Sequence, residues 1–335
     1  GKTVYKHINK KRYKIMTEKL SYILIGDPRG KELANKGNNL RLSGLYLWST
    51  AFERFGKAGT IDTFWRKQDL EEFDVVHINY TPSNLQLPTV IREELGSNSS
   101  TKIIINIDLD VSIMSQNWAY YTPAMIKGLN EADVIFHVEP KGAEILSHLL
   151  DRKVEVCPHP VDVSALYDYI KKEREPIAGV MFHRYTPSTL IPYIALRNIP
   201  IRRVLFGYQA SKQPTVANAG MYDQIMLYTT FQEHVEEFSK SVVGCDLYQG
   251  YSYGRAAIEM AALCIPSVIS NTVAASHLFP ETTVHPFDTH GAEEKFKRLT
   301  SDDDFTDEVI KTAHNACGLY SLKNSYSRFL RMLED

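Results

Sequence analysis

Residues 245–262 place polar side chains at a predicted junction of strand, turn and helix. The pattern predicts a strand that ends at Leu247, a turn with glycines, and a helix that begins near Gly254. The first N–H groups of such a helix and the positive end of its dipole favour a bound phosphate. Glu259 lies roughly 7.5 Å along the helix, and its side chain leans back toward that end. The segment therefore predicts a nucleotide site that binds a diphosphate and ribose hydroxyls, with a solvent-exposed glutamate on an ordinary helix as the alternative.

This segment resembles the donor-binding motif of retaining GT-B glycosyltransferases, including those of family four. Their motif reads Glu-Gly-Phe-Gly, four residues, Glu-Ala-Met-Ala and, shortly after, Pro. Gly254, Glu259 and Pro266 align with it. Tyr253 replaces the Phe, and Tyr251 stands in the place of the first Glu. In such enzymes the first Glu binds the donor sugar and the second binds the ribose, so the resemblance implies that Glu259 binds the ribose.

The resemblance extends over nearly the whole chain. Asp-Val-Val-His at 74–77, Ala-Asp-Val-Ile at 132–135 and Pro-Val-Asp at 160–162 resemble family segments and follow the family's order. What the resemblance implies is an α/β chain with the GT-B fold, in which two Rossmann-like, doubly wound domains face each other across a cleft.

The sequence pattern independently indicates two domains. A chain of 335 residues exceeds what one hydrophobic core usually organises, and strand and helix signals alternate on both sides of the stiff segment 158–162. The predicted domains are a basic N-terminal arm at 1–19, a Rossmann-like acceptor domain at 20–160, a Rossmann-like donor-binding domain at 161–323, and a helix at 324–335 that returns toward the first domain. Predicted strands span 21–25, 74–79, 102–107, 133–138, 154–157, 178–182, 203–207, 224–228, 243–247 and 267–270, and predicted helices include 40–55, 233–241, 254–263 and 292–299.

Departure of a diphosphate builds negative charge, which an enzyme without a metal must neutralise with cations and helix N-termini. The resemblance implies an Arg after the first strand of the second domain, and Arg184 stands there beside His183. A guanidinium suits phosphate oxygens because it donates two parallel hydrogen bonds. The Lys that the family has five residues later is Thr189 here, so His183 or Arg255 is the candidate substitute. A surface salt bridge is the alternative for both arginines.

Other donor contacts follow from the resemblance. Gly44 resembles the glycine at which a helix of the first domain meets the phosphates or the acceptor, although a tight turn explains it almost as well. Thr230 and Phe231 fall where these enzymes hold the base by backbone groups and ring contact. The complete predicted donor-binding set is Gly44, His183, Arg184, Thr230, Phe231, Tyr251, Ser252, Tyr253, Gly254, Arg255 and Glu259.

Polar residues follow the predicted strand 102–107, where family members present a His near the transferred sugar. This chain has Asn106, Asp108 and Asp110 there, at the strand end where ligands bind in open α/β sheets. We therefore predict that Asp108 or Asp110 orients an acceptor hydroxyl or a sugar, and that both act with Arg184 in catalysis. Capping of a turn or helix is the alternative for the two carboxylates.

Three further histidines differ in their predicted settings. His77 and His137 lie within apolar strands and are predicted to be core histidines. His159 lies in the segment between the predicted domains, which faces the cleft in a GT-B fold, and is a candidate nucleotide contact.

Composition narrows the function classes. The formal net charge of −2 gives no general attraction to nucleic acid or acidic membranes. Four separated cysteines without a Cys-x-x-Cys pair predict free thiols in a reducing cytoplasm, with neither a zinc site nor disulfides. No Gly-x-Gly-x-x-Gly follows the first strand, and neither a Walker nor a Gly-x-Ser-x-Gly sequence occurs. We expect a cytoplasmic protein and leave open a peripheral association of the basic arm with a membrane.

These observations predict a glycosyltransferase that moves a sugar from a nucleoside diphosphate sugar to an acceptor hydroxyl, with retention, without bound metal and without a further cofactor. The acceptor, which could be a glycan, a lipid, a protein or a modified nucleobase, is left open. A non-catalytic GT-B-like binding or partner subunit is the main alternative, because the first Glu and the Lys of the family are absent. A nucleotide-sugar epimerase is the second alternative, because it shares the double Rossmann layout.

Overall fold

The computed structural model describes residues 19–25, 44–62, 67–116, 122–182, 189–208, 220–228 and 230–334. These residues form two compact units, one from 19–160 with 322–334 and the other from 161–321. Each unit holds one six-stranded sheet, and all the strand pairs in both sheets are parallel. The α/β class with two doubly wound sheets that the sequence predicts is confirmed.

The first sheet is built from the N-terminal half of the chain. Its strands are β1 (Ser21–Ile25), β2 (Ala58–Asp62), β3 (Val75–Asn79), β4 (Lys102–Ile107), β5 (Val134–His137) and β6 (Glu155–Val156), in the order β2-β1-β3-β4-β5-β6. The helices of this half are α1 (Leu47–Phe55), α2 (Lys67–Leu70), α3 (Leu87–Leu95), α4 (Val111–Gln116), α5 (Pro123–Asn130) and α6 (Pro140–Leu150). Strands β1, β3 and β4 are buried along nearly their whole length, as expected for parallel strands between two helical layers.

In the second sheet, the order in which strands are added along the chain changes side in the middle of the sheet. Its strands are β7 (Glu175–Met181), β8 (Arg202–Tyr208), β9 (Gln224–Tyr228), β10 (Ser241–Asp246), β11 (Ser267–Ser270) and β12 (Thr283–Val284), in the order β12-β11-β10-β7-β8-β9. Its helices are α7 (Val163–Tyr167), α8 (Leu190–Leu196), α9 (Phe231–Phe238), α10 (Arg255–Ala262), α11 (Thr289–Ser301) and α12 (Asp303–Cys317). The order switches between β7 and β10, and ligands of such sheets bind outside the carboxyl ends of the strands at this point.

The C-terminal helix α13 (Leu322–Glu334) belongs to the first unit, where it packs on α1. The ring of Phe329 lies 4.9 Å from that of Trp48 and 5.2 Å from that of Phe52, centroid to centroid. All three side chains are fully buried. Edge-to-face rings at these separations stabilise a core beyond their burial, and they hold the indole of Trp48 in one orientation.

Several elements differ from the sequence prediction. Strand β2 is not predicted because it contains a Gly and a Thr and has no apolar run; its pairing with β1 forms it. Helix α12 is not predicted, although its buried residues Phe305, Val309, Ala313 and Cys317 recur every four residues at helical spacing. The first helix begins at Leu47, whereas the prediction begins it at 40; residues 40–43 lie outside the described residues.

Candidate functional site

Gly254 determines how the chain enters α10 from β10. It has φ +87° and ψ 48°, the left-handed conformation that favours glycine. A Cβ here would overlap the side chain of Val273 and would lie 2.8 Å from the Cβ of Ala275. The segment before it is also fixed, since the carbonyl of Ser252 accepts a 2.8 Å hydrogen bond from the N–H of Ala274. Both the conformation and the space therefore require glycine.

Helix α10 begins directly after this glycine, which provides no side-chain cap. The first turn of a helix carries N–H groups without intrahelical partners. Because α10 follows β10, this turn lies at the carboxyl end of the sheet beside the switch point. This is the backbone geometry in which helices bind phosphate; a phosphate at α10 stays a prediction.

Glu259 lies on α10 with only 1% of its surface exposed. Its Oε1 is 3.4 Å from Nε of Arg255, one turn earlier, and its Oε2 is 3.6 Å from Nε2 of His234 on α9. A buried carboxylate requires such partners because removal from water is costly. The alternative of a solvent-exposed glutamate is therefore wrong, and its partner His234 was not identified from the sequence.

Helix α9 brings a second helix start to this cluster. Thr230 is its N-cap, and its Oγ1 accepts a 3.1 Å hydrogen bond from the N–H of Glu233. His234 lies one turn further and packs against Phe231, at 5.9 Å between ring centroids. Phe231 is itself buried, so its ring belongs to the core, whereas the backbone at Thr230 begins the helix. The structure thus joins Thr230, through His234, to Glu259 and Arg255.

The remaining motif residues differ in exposure. Tyr251, in the place of the family's first Glu, is 39% exposed. Ser252 and Tyr253 are half-buried, and the loop before them is anchored because the hydroxyls of Ser270 and Thr272 both donate to the carbonyl of Tyr248, at 2.6 Å each. The loop is therefore held between β10 and β11, and Tyr251 is the exposed side chain of the motif.

His183 and Arg184 lie outside the described residues. In the sequence they follow β7, which ends at Met181. Thr189, in the place of the family's Lys, is buried, and its carbonyl accepts a 2.7 Å hydrogen bond from the hydroxyl of Tyr222. No cationic side chain replaces the Lys at position 189 itself.

In the first unit, Gly44 also has a positive φ, +100°, and a Cβ here would meet nothing within 4 Å. Its N–H donates a 3.0 Å hydrogen bond to the carbonyl of Pro160, and its carbonyl accepts one from Leu47 at the start of α1. The turn explains the glycine, and its N–H is already used within the first unit.

The two predicted carboxylates after β4 are placed differently. The side chain of Asp108 is 38% exposed, and its Oδ1 lies 2.7 Å from Nε2 of His159. Burial raises the pKa of Asp108, but His159 and the hydrogen bond from Asn106 outweigh it, so the pKa lies below its ordinary value. Asp110 is buried, and its carbonyl accepts the N–H groups of Ile113 and Met114 at the start of α4. Asp108 therefore has the geometry of a contact residue, and Asp110 that of a helix start.

Three histidines of the first unit, His77, His137 and His159, are buried. His77 and His137 are core residues, as predicted, and burial lowers the pKa of His77 to about 3. His159 is only 2% exposed and bonds to Asp108 and to Trp48. It is thus an internal partner of Asp108, and a contact of His159 with a nucleotide stays a prediction. No sequence signal links Trp48 or His159 to Asp108, because the three are far apart along the chain.

Among the described residues, no helix has both the length and the apolar character needed to cross a membrane.

Comparison with solved structures supports the fold. The chain is similar to sucrose-phosphate synthase from Thermosynechococcus elongatus (TM-score 0.65, 13% identity, 92% of this chain and 97% of that chain). It is also similar to a UDP-forming trehalose-phosphate synthase from Burkholderia xenovorans (TM-score 0.62, 14% identity, 92% and 86%). A third is the trehalose-6-phosphate protein of E. coli bound with UDP-2-fluoro glucose (TM-score 0.61, 13% identity, 94% and 99%). No family model and no curated sequence matches the chain. At these identities the likeness shows the fold, which is the predicted GT-B fold.

Proposed function

We propose that this chain is a glycosyltransferase that moves a sugar from a nucleoside diphosphate sugar to an acceptor hydroxyl. The observation that carries the proposal is the cluster at the switch point of the second sheet. There, Gly254 opens α10 in a conformation that only glycine adopts well, and Glu259 is buried between Arg255 and His234. The motif that aligns at Gly254 and Glu259 and the shared fold both favour a nucleotide-sugar donor.

The second unit would bind the donor. The N-terminus of α10 and Arg184 would take the diphosphate, because dipole and guanidinium offset the charge that builds as the leaving group departs. Glu259 would accept hydrogen bonds from the ribose hydroxyls, and backbone groups near Thr230 would take the base. This assignment needs no metal for the leaving group, so we propose metal-independent transfer, with retention as in the family-four enzymes whose motif the chain resembles.

The first unit would bind the acceptor. Asp108 is the exposed, ionised carboxylate at the carboxyl end of β4 and accepts hydrogen bonds well. It would orient the acceptor through a hydroxyl group. The chemical class of the acceptor stays open between a glycan, a lipid, a protein and a modified nucleobase.

The similar structures suggest which donors to test first. One is named as UDP-forming and another was solved with UDP-2-fluoro glucose. UDP-glucose therefore leads a panel that also contains GDP- and ADP-sugars. Sugar phosphates join the acceptor panel, because trehalose phosphate and sucrose phosphate are named for the similar structures.

The deciding experiment is release of nucleoside diphosphate from this panel, with and without a metal chelator. We expect release that depends on one donor and one acceptor and that survives the chelator. Loss of release with chelator would contradict metal independence alone. Absence of release from every donor would contradict the enzyme assignment.

A binding subunit without turnover is the second candidate. It is favoured by two observations: Tyr251 occupies the place of the sugar-binding Glu, and the buried Thr189 that of the Lys. Calorimetry separates the two candidates, because a subunit of this kind would bind a nucleoside diphosphate yet release none from any donor.

A further inference from the structure

In the first unit, two rows of hydrogen-bonded side chains meet at Asp108. On one side, the indole Nε1 of Trp48 donates to Nδ1 of His159 at 3.0 Å, and Nε2 of His159 lies 2.7 Å from Oδ1 of Asp108. On the other side, Nδ2 of Asn106 lies 2.5 Å from the same Oδ1, and Oδ1 of Asn106 lies 2.7 Å from Nε2 of His77. Both rows therefore meet at one carboxylate oxygen.

The direction of the first side is fixed by Trp48. An indole N–H can only donate, so Nδ1 of His159 accepts and carries no proton. Nε2 then carries the ring proton that is donated to Asp108. Trp48 thus selects the tautomer of His159, and the ring packing of Trp48 against Phe329 keeps the indole in place.

On the second side, the side chain nearest to Asp108 also donates its hydrogen bond to the carboxylate. Nδ2 of Asn106 donates to Asp108 and, at 2.9 Å, to Oδ1 of Asn79, so its Oδ1 must accept from Nε2 of His77. Nδ1 of His77 then accepts from the hydroxyl of Tyr22 at 2.5 Å. Burial raises the pKa of Tyr22 and lowers that of His77 to about 3, which keeps the hydroxyl protonated and the imidazole neutral.

Two donors thus hold Oδ1 of Asp108. Among the residues that the structure describes, none donates a hydrogen bond to its Oδ2, and the side chain is 38% exposed. A carboxylate held by one oxygen presents the other in a fixed direction, which is how supporting residues orient a contact residue.

We infer that His159, set in its tautomer by Trp48, is a positioning residue that orients Asp108 so that its Oδ2 accepts a hydrogen bond from a hydroxyl of the acceptor. This inference rests on the proposed function. It adds that recognition of the acceptor at this point requires a hydroxyl donor, and that His159 acts without touching the substrate.

The pH dependence of Asp108 tests the coupling directly. The titratable groups that face Asp108 are His159, His137 and His77. Above the ordinary pKa of an aspartate, Asp108 is ionised and accepts a hydrogen bond from a hydroxyl. It loses this ability as the pH falls through its own, lowered pKa. His159→Phe keeps a ring but removes the leading partner that lowers the pKa, while burial persists. We therefore expect the pKa of Asp108 to rise in this variant, measured by ¹³C NMR of labelled aspartate and assigned with Asp108→Asn.

Activity gives the second readout. With the donor saturating, His159→Phe should lower kcat/KM for the acceptor by about ten- to a hundredfold, the loss expected for one hydrogen bond to a charged group. The acid limb of the pH profile of kcat/KM should move to higher pH in His159→Phe, whereas the affinity for nucleoside diphosphate should not change. His159→Gln, whose amide can still donate to Asp108, should recover part of the loss. The double variant His159→Phe with Asp108→Asn should have the same kcat/KM for the acceptor as Asp108→Asn alone, because both changes act through the same carboxylate.

Trp48→Phe tests the tautomer assignment separately, because it removes the indole N–H and keeps an aromatic ring. Histidine-labelled ¹⁵N NMR should show the Nε2–H tautomer of His159 in the wild type and a mixture in this variant. An unchanged pKa of Asp108 in His159→Phe would overturn the inference, whatever the activity. If no donor is turned over, the proposed function fails, and the two NMR measurements still decide the coupling of His159 to Asp108.

Discussion

Replacement of Gly254 by Ala tests whether the start of α10 is built as the structure shows. The left-handed conformation at φ +87° costs an alanine about 1–2 kcal/mol. The overlap with Val273 and the 2.8 Å approach to Ala275 add about 1–3 kcal/mol, the usual cost of overpacking. Gly254→Ala should therefore lower the free energy of unfolding of the second unit by about 2–5 kcal/mol.

Gly220 provides the matched control in the same unit. It has φ +84°, but a Cβ there would meet nothing within 4 Å. Gly220→Ala should therefore carry only the conformational cost of about 1–2 kcal/mol. The difference between the two variants isolates the contacts with Val273 and Ala275.

The assay must report on the second unit. The three tryptophans of the chain, at 48, 65 and 118, all precede residue 160, so tryptophan fluorescence reports on the first unit. Hydrogen exchange by mass spectrometry in denaturant, read at peptides from β10 and α10, reports on the second. Binding of nucleoside diphosphate should weaken in Gly254→Ala more than binding of the bare nucleoside, because the phosphates meet the displaced helix start. If Gly254→Ala and Gly220→Ala are equally stable, the contacts assigned to Gly254 do not constrain the turn.

Two further predictions concern the donor. Glu259→Ala should weaken nucleotide binding by about 1–3 kcal/mol, since it strands hydrogen-bond partners; Glu259→Gln keeps the volume and isolates the charge, and unchanged affinity by calorimetry in both variants would exclude the ribose assignment. Arg184→Ala should lower turnover by at least about 10²-fold, the effect of losing one electrostatic contact to the transition state, and should leave nucleoside binding unchanged. If Arg184→Ala turns over normally and Arg255→Ala is inactive, the phosphate contact must be assigned to Arg255 and not to Arg184.

Much of the fold could be predicted because its central strands are buried on both faces. Strands β1, β4 and β11 are buried along nearly their whole length and have the bounds that the sequence predicts, since continuous apolar runs between turn residues mark parallel strands. The edge strand β9 also has its predicted bounds. Strands β2 and β12 lie at the edges of their sheets. They are short or mixed in composition, and pairing with a neighbour forms them, which no local pattern records.

For the candidate site, too, local features could be predicted from the sequence, and contacts between distant residues could not. Gly254 and Glu259 could be predicted because a turn, a helix start and a position on that helix are local features. The burial of Glu259 could not, because it depends on His234 from another helix. Asp108 could be predicted from its place after a strand, whereas its choice over Asp110 needed the packing that brings His159 to it.

Asn106 shows why a departure from a family pattern must be interpreted together with its neighbours. The resemblance implies a His after the strand that matches β4, near the transferred sugar, where this chain has Asn106, Asp108 and Asp110. The amide of Asn106 makes three hydrogen bonds: it accepts from His77 and donates to Asn79 and Asp108. An imidazole has two ring nitrogens and could satisfy at most two of these partners, so a histidine would leave one of them unpaired. Asn106 and Asp108 therefore act together. The buried amide of Asn106 donates a hydrogen bond to Asp108, and the exposed carboxylate of Asp108 is the group that a ligand can reach.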